Sequence, residues 1–265
     1  IKVSADAGDD TIVNNGVLQA FGGVDGGEGN DLLQYTANSS IGGALSSSLT
    51  NVTNVETTEQ IRQTSGSVDL TGTSSSNKAL IEIELSDGRV YKYDVHHGYG
   101  SDSNKTLNWS IDENDQITFQ TDSTNEIYIT AHSGQTDNVS LNGSGIWFYA
   151  GDENDTIIVK EGAQADIIYG DAGYDSIVNE GNTSYISGDA GDDSIVNYGY
   201  STYAHGGEGN DYIENSGVIW DSISGAAGDD SIVNNGTVEY DIYGGGGADT
   251  ITNTANASVG YNIYG

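Results

Sequence analysis

The stretch Gly188-Asp189-Ala190-Gly191-Asp192-Asp193-Ser194-Ile195-Val196-Asn197 decides the fold of this chain, because it recurs at a nearly constant interval. Copies occupy 170–179, 206–215, 225–234 and 244–253, and 150–159 is a degraded copy. The last aspartate of each glycine-rich loop falls at 155, 175, 193, 211, 230 and 249, a nearly even spacing. Such a period predicts a solenoid, in which each repeat buries its apolar face against the next.

The composition fits a long, regular sheet. The 265 residues include 38 glycines and no proline, cysteine or methionine. Proline has no N–H to donate, so its absence favours an uninterrupted ladder. The absence of cysteine excludes disulfides and thiolate chemistry. The missing methionine and an opening already inside a repeat, at 7–14, indicate a piece of a longer protein.

The chain is strongly acidic, with 40 acidic residues against seven basic ones and a formal net charge of −33. This charge disfavours nucleic acid and anionic membrane surfaces as partners, and no apolar run long enough to insert into a membrane is present. The acids are either a solvated surface or metal ligands that lack their ions. Their recurrence at fixed loop positions favours metal ligands.

Each repeat reads as a coil with two inward-facing strands. Two rows of apolar residues step along the chain by one coil, and both are predicted to face inward. The first row is Ile157, Ile177, Ile195, Ile213, Ile232 and Ile251; the second is Phe148, Ile168, Ile186, Ala204, Ile223, Ile242 and Ile263.

Asparagines form a third row, Asn179, Asn197, Asn215, Asn234 and Asn253. Stacked amides can hydrogen-bond to one another along a parallel stack, which predicts a buried ladder at a corner of the coil. A polar binding stripe is the alternative.

The same period continues weakly backward through 133–143, and a second good copy of the loop lies at 26–34, one coil after the first.

Residues 35 to about 120 break the period. The segments 80–85 and 89–95, joined by Ser86-Asp87-Gly88, predict a β-hairpin. A second hairpin is predicted over 109–119, and a further strand over 126–129. We therefore predict N-terminal solenoid coils with an irregular continuation in 1–60, a β-hairpin insert in 61–120 and a C-terminal β-solenoid in 121–265, which carries most of the glycine-rich loops. A stretch of solenoid decorated with hairpins is the alternative to a separate insert.

The loops have the chemistry of a calcium site. Ca²⁺ takes six to eight oxygen ligands from carboxylates and carbonyls. Glycine accepts the backbone angles that turn several carbonyls inward, and the terminal aspartate adds a carboxylate. Two loops stacked one coil apart can share an ion, which would also offset the mutual repulsion of a column of aspartates.

Two segments match the nonapeptide G-G-x-G-x-D-x-U-x: Gly26-Gly27-Glu28-Gly29-Asn30-Asp31-Leu32-Leu33-Gln34 and Gly206-Gly207-Glu208-Gly209-Asn210-Asp211-Tyr212-Ile213-Glu214. In this the chain resembles the RTX, or hemolysin-type, calcium-binding repeat proteins. The resemblance covers 1–34 and 133–265. It implies an all-β parallel β-solenoid of the β-roll or β-helix type, several bound Ca²⁺ ions, secretion by bacteria and folding driven by extracellular calcium.

One departure from the family is clear. Only one loop in each coil keeps the motif, so we predict a single row of ions along one edge. The predicted metal ligands are Asp10, Asp31, Asp155, Asp175, Asp193, Asp211, Asp230 and Asp249, with Asp171, Asp189, Gly173, Gly191, Gly209, Gly228 and Gly247 in the same loops. Asp171 and Asp189 replace the second glycine, which leaves the ligand set of those loops open. A single-row solenoid also resembles ice-binding solenoids, but the flat rows of threonine that those present are missing.

The outward positions of the second strand carry many aromatic rings, including Tyr169, Tyr185, Tyr203 and Tyr243. Phenols suit glycan or protein contacts, and tyrosine is also a good strand former on a pleated face. His96-His97 is predicted to lie in a solvated loop. No nucleophile elbow, zinc-protease motif or phosphate loop is present, so we expect no enzymatic activity.

These patterns together predict a calcium-binding structural or adhesive module of a secreted or surface-attached bacterial protein, located outside the cell. A module that binds a glycan or a host surface protein, through the tyrosine face or the insert, is the alternative.

Overall fold

The computed structural model describes 63–71, 73–98, 106–121 and 126–265; before residue 63 it describes 2–5, 7–14, 17–18, 23–25, 28, 32–36, 40–41, 44–45, 52–53 and 57–61. Within these residues the regular secondary structure is all β, as predicted, and it forms a parallel β-solenoid of about eight turns. The described part contains no helix with the length and hydrophobicity needed to span a bilayer. Residues 1–64 and 65–265 are two compact units. The three-part division predicted from the sequence stays a prediction.

The N-terminal unit is built from short strands in three-stranded sheets. They are β1 (Lys2–Ser4), β2 (Thr11–Asn14), β3 (Val17–Leu18), β4 (Gly23–Asp25), β5 (Leu32–Thr36), β6 (Ser40–Ile41), β7 (Ala44–Leu45), β8 (Val52–Thr53) and β9 (Thr57–Ile61). The sheet orders are β1-β4-β8, β2-β5-β9 and β3-β6-β7, and among these described pairs β6–β7 alone is antiparallel. Strand β9 adds a third parallel rung within the segment where the loop motif is lost.

The described part of the second unit contains 24 strands. In chain order they are β10 (Ser65–Asp69), β11 (Ala79–Glu84), β12 (Val90–His97), β13 (Thr106–Ile111), β14 (Ile117–Thr121), β15 (Ile127–Ala131), β16 (Asn138–Gly143), β17 (Ile146–Tyr149), β18 (Thr156–Val159), β19 (Ile167–Tyr169), β20 (Ser176–Asn179), β21 (Tyr185–Ala190), β22 (Ser194–Asn197), β23 (Tyr200–Ser201), β24 (Tyr203–Glu208), β25 (Tyr212–Asn215), β26 (Val218–Ile219), β27 (Ile223–Ala227), β28 (Ser231–Asn234), β29 (Thr237–Val238), β30 (Ile242–Gly246), β31 (Thr250–Asn253), β32 (Ser258–Val259) and β33 (Ile263–Tyr264).

Two ten-stranded sheets run the length of this unit. Their orders are β10-β13-β14-β16-β18-β20-β22-β25-β28-β31 and β11-β12-β15-β17-β19-β21-β24-β27-β30-β33. Each begins with antiparallel pairs and continues with parallel ones from β14 and β15 onward. Both predicted hairpins are present, as β11–β12 and β13–β14. Because they pair directly onto the parallel rungs, the hairpins extend the same two sheets.

The two apolar rows face the interior in the predicted register. Residues 157, 177, 195, 213, 232 and 251 are successive partners in the first sheet. Residues 148, 168, 186, 204, 223, 242 and 263 are partners in the second. The residues of both rows from 148 to 242 are buried. Burial of one aliphatic side chain per strand therefore holds each coil to the next.

Two features differ from the sequence expectations. A third sheet of two-residue strands, β23-β26-β29-β32, closes the later coils, with Ser201, Ile219 and Val238 fully buried on it. The prediction of a solvated loop for His96 and His97 is wrong. Both end strand β12 and are buried, because strand pairing places His96 opposite Tyr128, where the two rings stack with centroids 4.7 Å apart.

The asparagine ladder is confirmed at the corner after the first sheet. Each side-chain amide donates to the side-chain oxygen of the asparagine one coil later, over 2.7–2.9 Å from Asn179 through to Asn253. The first four members are at most 1% exposed. A buried ladder of this kind satisfies polar groups inside the corner and presents no binding stripe.

We expect Asn234→Ala to lower the free energy of unfolding by about 3–5 kcal/mol, since it leaves several buried polar partners unpaired. Asn234 donates to Asn253 and to the carbonyl of Ser258, and its oxygen accepts from Asn215 and from the N–H of Gly236. The measurement is urea unfolding in millimolar calcium. Asn235→Ala is the matched control, because Asn235 is exposed and should change stability by less than about 0.5 kcal/mol. Equal losses in the two variants would contradict a structural role for the ladder.

Candidate metal centre

Six loops of six residues stack along one edge of the second unit. They are 150–155, 170–175, 188–193, 206–211, 225–230 and 244–249, and their residues are numbered here as loop positions 1 to 6. Position 4 has a positive φ in every loop, between 125° and 157° at the five glycines and 87° at Glu153. Residues other than glycine rarely adopt this backbone conformation. The recurring glycine at position 4 therefore allows five of the six loops to turn back.

The residue at position 6 is aspartate in all six loops, and these six residues form an aspartate column. The Oδ1 atom of each accepts the backbone N–H of the residue one coil earlier: Asp155 from Asp137, Asp175 from Asp155, Asp193 from Asp175, Asp211 from Asp193, Asp230 from Asp211 and Asp249 from Asp230, over 2.6–3.1 Å. This repeated bond orients all six carboxylates in the same way along the stack.

The second oxygen of each column carboxylate has no hydrogen-bond partner. Oδ2 of all six aspartates is buried and unpaired. From Asp155 to Asp230 the residues are only 1–3% exposed. An unpaired buried carboxylate oxygen is costly unless a proton or a cation accompanies it. The column therefore presents one unsatisfied oxygen per coil.

These oxygens point at the glycine that opens their own loop. A Cβ on Gly170, Gly188, Gly206, Gly225 or Gly244 would overlap Oδ2 of the column aspartate at the end of the same loop. At Gly170 and Gly206 the same added atom would lie 2.7 Å from the carbonyl oxygen of the first residue of the next loop. A carboxylate oxygen and a carbonyl oxygen from neighbouring coils thus converge where a side chain would otherwise sit.

The carbonyl oxygens at position 4 also face along the stack. A Cβ on Gly191, Gly209, Gly228 or Gly247 would collide with the carbonyl oxygen of position 4 in the preceding loop. Each loop therefore offers backbone oxygens to its neighbour in addition to its carboxylate. Glycine is required at these positions both for the backbone angle and for the close approach.

Burial and mutual repulsion raise the pKa values of the five column carboxyls from Asp155 to Asp230. Burial, followed by the neighbouring aspartates, raises the pKa of Asp155 to about 8 and that of Asp211 to about 7. The pKa values of Asp175 and Asp193 are raised to about 6, chiefly by burial. The pKa of Asp230 is raised in the same direction. Without a cation the column therefore resists full ionisation at neutral pH.

The arrangement fits calcium. All of its candidate ligands are oxygens, from carboxylates and backbone carbonyls, which is the donor set that Ca²⁺ prefers. Among the residues that the structure describes, no group of three histidine, aspartate or glutamate side chains gathers at one point. A site here would therefore draw one carboxylate from each of two neighbouring loops and complete its shell with carbonyl oxygens.

The predicted ligands fall into separate groups in the structure. The six aspartates from Asp155 to Asp249 form the column, and the five predicted glycines occupy position 4. Asp171 and Asp189 lie at position 2 with φ values of 68° and 72°. Their carboxylates accept protein donors, the N–H of Gly151 at 3.2 Å and the hydroxyl of Ser187 respectively. These two ligand candidates therefore lie outside the column, at position 2 of their loops, and already accept a hydrogen bond there.

In the N-terminal unit Gly8 and Asp10 make the same backbone hydrogen bonds between coils as their counterparts beside the column. The N–H of Gly8 donates to the carbonyl of Glu28 at 2.6 Å, and the carbonyl of Asp10 accepts from Leu32 at 2.9 Å. Asp10 therefore holds a position like that of a column aspartate, ahead of a parallel rung. Asp31, the other predicted ligand of this unit, lies outside the described residues.

Sequence reasoning missed two parts of the site. One is the glycine at position 1, whose role is to leave room beside Oδ2. The signal was available, since five of the six loops open with glycine. The other is Asp137, which continues the column one coil before Asp155. The weak period through 133–143 reaches Asp137, but its loop lacks the glycine pattern, so the sequence does not predict Asp137 as a metal ligand.

The outward aromatic rings lie on the second sheet, as predicted. Tyr149, Tyr169, Tyr185 and Tyr203 form a continuous row with ring centroids 5.2, 5.6 and 6.3 Å apart. Tyr243 stands apart from this row and stacks on Tyr264 at 5.0 Å. Three of the four predicted contact tyrosines are therefore brought together.

We expect Gly225→Ala to remove one bound calcium ion and to lower the free energy of unfolding by about 3 kcal/mol when calcium is about 100-fold above its dissociation constant. The added methyl would overlap Oδ2 of Asp230 and lie 2.5 Å from the carbonyl oxygen of Gly244. Isothermal titration calorimetry gives the stoichiometry. Gly246→Ala is the control, since its Cβ would meet only the oxygen of Ala226 at 3.8 Å. An unchanged stoichiometry in Gly225→Ala would show that ions do not bind at this cradle.

Comparison with known proteins agrees with this geometry. A family model of the RTX calcium-binding nonapeptide repeat matches the chain in four copies, over 147–177, 200–215 and 241–255. Loops 188–193 and 225–230 lie between the matched segments and have the same column aspartate and the same turn at position 4. No curated protein and no solved structure matches the chain significantly. Residues 147–255 of this chain carry the RTX calcium-binding nonapeptide repeat, folded as a parallel β-solenoid.

Proposed function

We propose that this chain is a structural or adhesive rod, stapled by a row of calcium ions, from a secreted or surface-attached bacterial protein. The ions would lie between successive loops of the column, each shared by two coils. The proposed function includes no catalysis. The observation that carries the proposal is the unpaired, buried Oδ2 of all six column aspartates.

Calcium would act on the stability of the rod by mass action. Ions that bind only the native coils stabilise them in proportion to the logarithm of the calcium concentration. The same ions would neutralise carboxylates whose pKa values burial has raised. Without ions, each coil that carries a column aspartate must either bury a charge or hold a proton, so these coils lose stability together.

The location outside the cell is part of the proposal. The RTX repeat family is associated with secretion, which supports it. Extracellular calcium modules have dissociation constants on the order of 10⁻⁴–10⁻³ M, a range in which such a rod would be folded outside a cell and unfolded inside it. Self-repulsion from the net charge of −33 would further destabilise the compact coils when no ion is bound.

The test is far-UV circular dichroism and thermal melting of the whole chain in calcium, in EGTA, and in EGTA with excess magnesium. We expect the β signal to fall in EGTA and to return with millimolar calcium. Magnesium alone should not restore it, because Mg²⁺ demands near-ideal octahedral geometry and keeps its water ligands. A spectrum and a melting temperature that ignore the chelator would overturn the proposal.

A second candidate function, binding of a glycan or a host surface protein, is favoured by the row Tyr149, Tyr169, Tyr185 and Tyr203. These rings line the outer face of the second sheet, and Tyr203 is 40% exposed with its hydroxyl donating to Asp221 at 2.8 Å. Aromatic faces beside polar groups are suited to sugar rings and to interface contacts.

The double variant Tyr169→Ser with Tyr185→Ser tests this candidate on a printed array of neutral oligosaccharides and on immobilised extracellular-matrix proteins, both in calcium. A binder should lose its signal in this variant. The matched control is Tyr174→Ser with Tyr198→Ser, because these tyrosines are 62% and 58% exposed and lie outside the row. Absence of binding by the unmodified chain, or equal binding by both variants, would leave the structural rod as the function.

A further inference from the structure

The aspartate column continues upstream to a residue that differs from the rest. Asp137 lies one coil before Asp155, and its backbone N–H donates to Oδ1 of Asp155 at 2.6 Å. It is 1% exposed. In register and burial Asp137 is therefore a seventh member of the column.

The carboxylate of Asp137 is satisfied by protein donors. The hydroxyl of Tyr93 donates to its Oδ1 at 2.6 Å, and Nε2 of Gln135 lies 3.1 Å from Oδ1 and 3.4 Å from Oδ2. Gln135 is held in turn by the backbone N–H of Lys92, which donates to its Oε1 at 2.9 Å. The other six column carboxylates each leave Oδ2 without any such donor.

The loop before Asp137 also lacks the space for an ion. Counted back from the aspartate, positions 1 and 4 are His132 and Gln135, where most of the later loops have glycine. Those glycines are what leave room for converging oxygens in the later loops. The phenol of Tyr93, which bonds Oδ1 of Asp137, is fully buried and packs edge-on against Phe119 with centroids 4.9 Å apart.

The side chains that fill the hydrophobic core also differ before and after this coil. The buried tyrosine, tryptophan and phenylalanine side chains of the described residues all lie between residues 91 and 148. They are Tyr91, Tyr93, Trp109, Phe119 and Phe148. Beyond them the interior is mostly one isoleucine per strand. The early coils therefore bury more apolar surface per residue than the calcium loops do.

We infer that Tyr93 and Gln135 take, at Asp137, the place that a calcium ion takes in the later coils, so that the ion row begins only after this residue and 65–143 form a calcium-independent cap on which the calcium-dependent coils stack. This rests on the proposed calcium staple. In a solenoid, each repeat is stabilised by its own interactions and by its interface with the next. A cap that stays folded without ions gives the first calcium coil a preformed surface for strand pairing.

Hydrogen–deuterium exchange of the whole chain, in calcium and in EGTA, tests the inference. We expect peptides from 79–97 and 127–143 to keep their protection in EGTA, while peptides from 176–253 lose theirs. If both groups lose protection together, the cap is not independent and the inference fails, although the calcium staple stands. If both keep it, the staple itself fails, so the two failures are distinguishable.

Calcium stoichiometry gives a second, independent test of where the row begins. Asp137→Asn keeps the acceptor for Tyr93 and should leave the number of bound ions unchanged, whereas Asp193→Asn should lower it. A reduced count in Asp137→Asn would place an ion at Asp137 and overturn the inference.

The role of Tyr93 is tested by Tyr93→Phe, with Tyr91→Phe as the matched control on the same strand. Tyr91 is also a buried phenol, but its hydroxyl donates to the carbonyl of Thr136. In EGTA, protection of 127–143 should fall about 10- to 100-fold in Tyr93→Phe, since a hydrogen bond to a charged group is lost, and about fivefold in Tyr91→Phe. Equal losses would show that the phenol of Tyr93 has only a general packing role.

Discussion

Asp193→Asn should stabilise the metal-free chain and destabilise the calcium-bound one. The substituted amide keeps an oxygen for the N–H of Asp175, which Oδ1 of Asp193 accepts at 2.8 Å. It replaces the unpaired Oδ2 by a neutral group, so the cost of burying a charge disappears. The same change removes a ligand, so at least one ion is bound more weakly.

The size of each effect follows from the site. The pKa of Asp193 is raised to about 6 from an ordinary value of 3.8, and one pKa unit is worth about 1.4 kcal/mol, so the metal-free gain should be roughly 1–3 kcal/mol. The loss should be about 3 kcal/mol for one ion when calcium is about 100-fold above its dissociation constant. Plotted against the logarithm of free calcium, the melting temperatures of the variant and the unmodified chain should therefore cross.

The neighbouring residue supplies the control for this experiment. Asp192 is exposed, and its Oδ1 accepts the N–H of Asn210 at 2.7 Å on the outside of the loop. Asp192→Asn removes the same charge from the same loop, so general effects of net charge appear in both variants. We expect no crossing in Asp192→Asn. A variant of Asp193 that is less stable at every calcium concentration would contradict the account of Oδ2 as a buried charge that needs a cation.

Acid should stabilise the metal-free chain and destabilise the calcium-bound one. The pKa values of Asp155, Asp175, Asp193 and Asp211 in the folded chain are raised to between about 6 and about 8, above the ordinary 3.8. The folded state therefore holds protons that the unfolded state has released over this range. Without calcium, the free energy of unfolding is therefore highest below about pH 4 and falls as the pH rises to about 8.

With calcium the sign reverses, because protons and ions compete for the same oxygens. Between pH 5 and pH 8 the calcium-loaded chain should gain stability as pH rises. The measurement is thermal melting of protein stripped on a chelating resin, with and without millimolar calcium. In the metal-free series, we expect the melting temperature to rise by roughly 5–10 °C between pH 8 and pH 5.

Asp193→Asn again serves as the control, since it removes one titrating carboxyl and should flatten the metal-free pH dependence. The histidines are unchanged in this variant. The same sign of pH dependence with and without calcium would show that the column is not where protons and ions compete.

Much of the second unit could be predicted because its organisation is local and repeated. A coil contacts chiefly its two neighbours, so the spacing of Ile195, Asn197 and Asp193 from their equivalents gives the strand register directly. The paired rows and the asparagine ladder follow from that register. The hairpin through Ser86-Asp87-Gly88 was equally visible, since its turn residues lie between two alternating strands.

Other features have no local signal. The strands of the third sheet are two residues long, too short for a period of polar and apolar residues to show. The sequence around His96 and His97 predicts a loop, because no nearby residue indicates that they are buried. His96 is covered by Tyr128, which lies on a later strand.

The sequence by itself determined the period, the inward rows and the loops in which an aspartate follows glycines, because each depends only on residues within one coil and on repetition. Only the tertiary structure decided that the second oxygen of every column aspartate is buried without a partner, while Asp137 is served by Tyr93. That contact joins residues 44 positions apart, and no repeat encodes it. The physical reason is that spacing sets which residues stack, whereas burial and the donors that surround a carboxylate depend on packing between distant parts of the chain.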